Sequence, residues 1–107
     1  LRQTVSLEFL LPIVENEDDR PFPDSLFTAF EHHVVDLTGG ITRRADVEGI
    51  WRRPDGTMQR ERSRSYVTTV DAAAADRVAS DIDAVIRTQF RQLASYITAT
   101  PTTAAGF

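Results

Sequence analysis

The sequence predicts an α+β fold in which a four-stranded antiparallel sheet carries two helices on one face. Three observations predict it: an alternating apolar run near the start, two stretches with apolar residues at helical spacing, and a turn between two long extended segments. In chain order they give strand, helix, strand, strand, helix, strand.

The first element rests on Val5, Leu7, Phe9 and Leu11, which alternate with Thr4, Ser6, Glu8 and Leu10. That is the period of a half-buried strand, ending near Pro12. The segment ENEDDRPFP follows without periodicity, crowded with acids and prolines, and is expected to be a solvated loop. Asp24 or Ser25 can cap a helix running to Thr38, with Leu26, Phe27, Phe30, Val34 and Leu37 in one stripe. Gly39 and Gly40 supply its left-handed stop. Ile41–Arg53 and Thr57–Val70 then flank RPDG, where Pro54 presets φ and Gly56 accepts φ > 0. A second helix is expected over 72–88, capped by Asp71, with Ala75, Val78, Ala79, Ile82, Val85 and Ile86 facing inward. A short strand over 93–98 completes the order, and residues 100–107 are expected to form a flexible tail. Two helices on one face of the sheet bury both apolar stripes economically, which is the ferredoxin-like α/β plait, here a single domain over 1–99.

Composition narrows the function classes. A chain of 107 residues, 41% hydrophobic and 26% charged, has one core and no disorder signature. It lacks cysteine, which excludes disulfides, thiolate zinc sites and a cysteine nucleophile. No apolar run is long enough to span a bilayer, so no membrane partner is expected and the cytoplasm is the expected location. The chain opens at Leu1 rather than Met, which is consistent with a removed or omitted upstream segment. The net charge of −4 is unevenly spread. Residues 43–64 hold seven arginines against four acids, a balance of +3; the remainder holds five arginines against twelve acids, a balance of −7. The overall sign disfavours general nucleic-acid affinity, while a local basic patch can still hold an anion.

The hairpin makes that patch specific. A three-residue loop at Pro54-Asp55-Gly56 sets Arg53 opposite Thr57 and so fixes the register. One row then carries Ala45, Val47, Gly49 and Trp51 opposite Ser65, Ser63, Glu61 and Gln59, and its apolar members predict that it faces the helices. The other row carries Asp46, Glu48, Ile50 and Arg52 opposite Arg64, Arg62, Arg60 and Met58, and is expected to be exposed together with Tyr66. Directly opposed charges, Asp46 with Arg64 and Glu48 with Arg62, make the plainer reading a solvated ladder that fixes register. The functional reading leaves Arg60 and Arg52 free as guanidinium forks for carboxylate or phosphate. The candidate ligand or partner residues are therefore Trp51, Arg52, Arg60, Arg62, Arg64 and Tyr66, for a small anionic ligand or a protein partner.

Other constellations are weaker. His32 and His33 are adjacent, point about 100° apart on a helix and cannot share a metal. ENEDD lacks the spacing of a calcium loop, and Gly39-Gly40 ends a helix where a phosphate loop would begin one. Neither a metal nor a cofactor is expected. The exposed positions of the first strand lack aromatics, which argues against RNA recognition on the sheet.

GGIT at 39–42, GIW at 49–51, PDG at 54–56 and FRQ at 90–92 together resemble a family of small uncharacterised bacterial proteins with a ferredoxin-like fold, over about Asn16 to Tyr96. The resemblance implies the fold and supplies no catalytic residues. The architecture is also similar to that of dimeric α+β barrel proteins, which pair sheet faces. Two functional expectations follow. One is a noncatalytic binding or interaction module, homo-oligomeric and in the simplest case a homodimer, that uses its exposed sheet face or hairpin edge. The other is a small enzyme with Trp51, Tyr66, Glu61 and His33 around a pocket.

Overall fold

The structure is a computed structural model that describes residues 1–15 and 19–105. Its elements are β1 (Arg2–Pro12), α1 (Asp24–Thr38), β2 (Thr42–Arg52), β3 (Met58–Asp71), a turn of 3₁₀ helix (Ala72–Ala74), α2 (Ala75–Gln89) and β4 (Tyr96–Ala104). All strand pairings are antiparallel, in the order β2-β3-β1-β4, so the expected ferredoxin-like plait is the fold observed.

The period-two row of β1 supplies the floor of the core, with Leu7, Phe9 and Leu11 all buried. Phe27, Phe30 and Val34 of α1 and Val78, Ile82 and Ile86 of α2 cover it. Aromatic rings lock the layers: Phe30 lies edge-on to Phe9 at 5.7 Å and to Phe90 at 5.9 Å. Helix α1 ends as expected, with Gly39 at φ 93° and its N–H donating to the Val35 carbonyl. Its start differs: Pro23 occupies the capping position, and neither Asp24 nor Ser25 makes a side-chain cap. Asp71 likewise caps nothing, because the 3₁₀ turn takes up the first residues expected to be helical.

The expected tail is corrected over residues 100–104. These continue β4 along β1, with Pro101 opposite Val5 and the hydroxyls of Thr4 and Thr102 2.7 Å apart. The polar run gave no periodic signal, but β4 is an edge strand, where proline and threonine are tolerated. The acidic segment retains Glu15, which pairs with Arg91 at 2.9 Å, while Asn16, Glu17 and Asp18 lie outside the described residues.

Candidate functional site: the hairpin arm and its aromatic pocket

The hairpin register holds from Asp46 opposite Arg64 to Arg52 opposite Met58. The loop closes as Arg53 N–H donates to Thr57 and Gly56, at φ 90°, donates to Arg53. A bulge between Arg43 and Asp46 shifts the register of the remainder.

The orientation of the two rows is the reverse of that expected. Tyr66 pairs with Phe9, is fully buried, stacks on Phe9 at 5.8 Å and donates to Glu31 of α1 at 2.5 Å. Arg64 places its guanidinium 4.2 Å over the Phe27 ring. Even-numbered residues of β3 therefore face the helices, and the Trp51 row lies on the opposite side. The reason is continuity: Tyr66, Thr68 and Val70 are all buried on the helix side, and that long parity overrides the local hairpin pattern.

Tyr66 is thus a core residue. Burial first, and then its hydrogen bond to Glu31, push its hydroxyl pKa from 10.0 up to about 12. Because the folded-state pKa is raised, the stabilisation is complete below about pH 10, falls as pH rises from there, and levels off above about pH 12. A loss on the order of 2 kcal/mol is expected across that window, and Tyr66→Phe should flatten that part of the pH–stability curve measured by urea unfolding.

The arginines are also engaged. Arg60 pairs with Glu48 at 2.8 Å, diagonally across the ribbon, rather than remaining free. Arg62 reaches Asp46 at 3.8 Å instead of Glu48, and Arg64 meets Asp46 at 3.9 Å as expected. Arg52 donates to the Gly56 carbonyl at 2.9 Å. The ribbon's twist favours diagonal partners over direct ones for the longer side chains.

Two features remain open. The first is the arm itself. Strand β1 pairs with β3 as far as Ser63, so among the described residues the ribbon from Gly49 to Glu61 has no third strand. No residue of β2 is buried, yet the arm carries Ile50, Trp51 and Met58, with Ile50 53% and Met58 65% exposed. The molecule is correspondingly long, 46 × 30 × 23 Å.

The second is a pocket of about 370 Å³ on the arm's other side, lined among others by Leu10, Trp51, Gln59, Glu61, Ser63 and Tyr96. The Trp51 and Tyr96 rings lie 6.3 Å apart and tilted by 49°. Burial raises the Glu61 pKa above the usual carboxylate value. Gly49 allows this arrangement, since a Cβ there would stand 3.0 Å from three indole atoms of Trp51. Gly49→Ala is expected to displace the indole and shift its fluorescence while leaving far-UV circular dichroism unchanged.

Of the four residues of the enzyme reading, the structure brings only Trp51 and Glu61 together at a pocket. Tyr66 lies in the core, and His33 pairs with Asp81 at 2.7 Å between the helices. Tyr96 was not marked by the sequence as a member of the Trp51 site, because its contact depends on the curl of the whole sheet. Among the described residues no group of three or more His, Asp or Glu is placed to hold a metal ion. No described helix is long and apolar enough to cross a membrane.

No family model and no curated protein matches the sequence. Solved structures do match in fold. A divalent cation tolerance protein (Cut A1) from Thermus thermophilus aligns with a TM-score of 0.68 at 10% identity, covering 96% of this chain and 87% of that one. CutA1 from Oryza sativa aligns with a TM-score of 0.64 at 10% identity, covering 98% and 84%. A phage SAM lyase in complex with S-methyl-5'-thioadenosine aligns with a TM-score of 0.67 at 9% identity, covering 97% and 92%. At such identities the likeness shows the shared fold alone. The neighbours come from a bacterium, a plant and a phage, so the fold carries no bacterial signature.

Proposed function

We propose that this chain is a noncatalytic binding module that assembles with further copies of itself through the β2–β3 arm. The observation that carries the reading is β2: eleven residues, none buried, whose last four, Gly49–Arg52, bear Ile50 and Trp51 on the two-stranded end of the hairpin. An isolated ribbon is marginal in water, and an exposed apolar edge invites pairing. Charge favours a second copy as the occupant. The hairpin segment 43–64 carries +3 against −7 for the remainder, and the arm within it, residues 49–61, holds three arginines against two acids, so the hairpin of one copy suits the body of another. Ile50 and Met58 form the apolar centre of the contact, with Arg52, Arg60 and Arg62 at its rim meeting the neighbour's carboxylates. Arm-to-body contacts close either reciprocally in a dimer or in sequence around a ring.

The neighbours' names attach this one fold to cation tolerance and to lyase chemistry, so fold does not choose between them. The pocket beside Trp51 favours a second, small-molecule reading. Salt separates the roles of the arginines: a rim electrostatic contact weakens as ionic strength rises, so dissociation at high salt is expected in sedimentation velocity. An assembly equally stable at low and high salt would count against the charged rim.

A further inference from the structure

The Trp51–Tyr96 pocket lies on the sheet face opposite the one that carries Ile50 and Met58, and its lining has a chemistry of its own. Its volume of about 370 Å³ fits one small ring system with substituents. Trp51 and Tyr96, 6.3 Å apart and tilted by 49°, do not admit a third ring between them; they make a corner whose free faces can each take a flat ring. The polar side chains of the pocket are Gln59, Glu61, Ser63, Gln92 and Ser95. Gln92 donates to the Phe90 carbonyl and Ser95 to Asp83, whereas among the described residues no hydrogen bond or ion pair engages the Glu61 carboxyl or the Gln59 amide. No arginine lines the pocket, although the same hairpin carries seven between 43 and 64. The site therefore offers π faces, one acidic acceptor, and one unengaged amide, that of Gln59, that both donates and accepts, with no arginine in its lining to hold an anion.

We propose that this pocket binds an amine-bearing nitrogen heterocycle of the aminopurine or aminopyrimidine class, stacked on Trp51 or Tyr96 with its amine edge toward Glu61 and Gln59. An ionised carboxyl accepts hydrogen bonds and does not donate them, so it matches an exocyclic amine and opposes the carbonyl that replaces it in an oxo ring. A carboxamide pairs with an edge that alternates donor and acceptor, as adenine's does. A ring stacked against tryptophan and tyrosine gains from dispersion and from the rings' quadrupoles whatever its substituents. Stacking thus supplies affinity, and Glu61 with Gln59 supplies the choice of edge.

Trp51 is the sole tryptophan, so its fluorescence reports on the pocket directly. The full chain is titrated with adenine and cytosine, and with hypoxanthine and uracil as their oxo counterparts, with calorimetry as a second readout. Saturable quenching is expected for the amino rings, with the oxo rings weaker by roughly tenfold or more. Glu61→Gln and Gln59→Ala should each weaken the amino rings while leaving circular dichroism unchanged, the former by roughly tenfold or more. Gln59→Ala also stands in should Glu61→Gln fail to fold. Absence of saturable quenching, equal affinity for amino and oxo rings, or full affinity in folded variants would overturn the proposal.

Discussion

Replacing Ile50 and Met58 together by aspartate is expected to reduce the protein to a monomer of 12.0 kDa in size-exclusion chromatography with light scattering. Both side chains stand mostly in solvent within a single chain, so the substitution should cost the fold little, within roughly 0.5 kcal/mol per site. In an assembly the same two positions would place unpaired carboxylates in the contact. Leaving a charge buried without a partner costs about 3–5 kcal/mol, enough to weaken association by two orders of magnitude or more. Unchanged thermal unfolding of the monomeric variant, measured at low concentration, would show that the effect lies in the contact.

The largest effect on the fold itself is expected at Phe30. Its ring meets Phe9, Tyr66 and Phe90 with centroids 5.7, 6.0 and 5.9 Å away, and it is 3% exposed. It thus joins α1 to both central strands and to the end of α2. Phe30→Ala removes one side of all three contacts and should cost about 3–5 kcal/mol, a large share of the roughly 5–15 kcal/mol typical of a domain. Urea unfolding measures it as a lower midpoint. Leu93→Ala serves as the reference, since Leu93 is 96% exposed and should change stability by less than roughly 0.5 kcal/mol. Comparable losses for the two would mean that the aromatic cluster does not hold the layers together.

The element order and the hairpin register were legible because they rest on local chemistry. Alternation in β1, the glycine stop of α1 and the Pro-Asp-Gly loop each act within a few residues. The side of the sheet on which each hairpin row falls was not legible in the hairpin alone. Ala45, Val47 and Trp51 occupy one row and Ile50 and Met58 the other, so apolar content differs little and points the wrong way. What decides is the continuation of β3 through Tyr66 to Val70 beside Phe9, together with the bulge that breaks β2's parity after Arg43. Following the row from Arg64 to Val70 would have placed Tyr66 and Arg64 inside. The Glu48–Arg60 pairing depends on ribbon twist, and the approach of Tyr96 to Trp51 on the curl of the sheet; neither can be read from the spacing of residues along the chain. The end of β4 was missed for the opposite reason: its residues are polar, and its pairing is dictated by the free side of β1.

Self-association through the arm is tested most directly by light scattering of the unmodified chain over a range of concentrations near neutral pH. A mass that is a fixed multiple of 12.0 kDa is expected. A mass of 12.0 kDa at every concentration would contradict it.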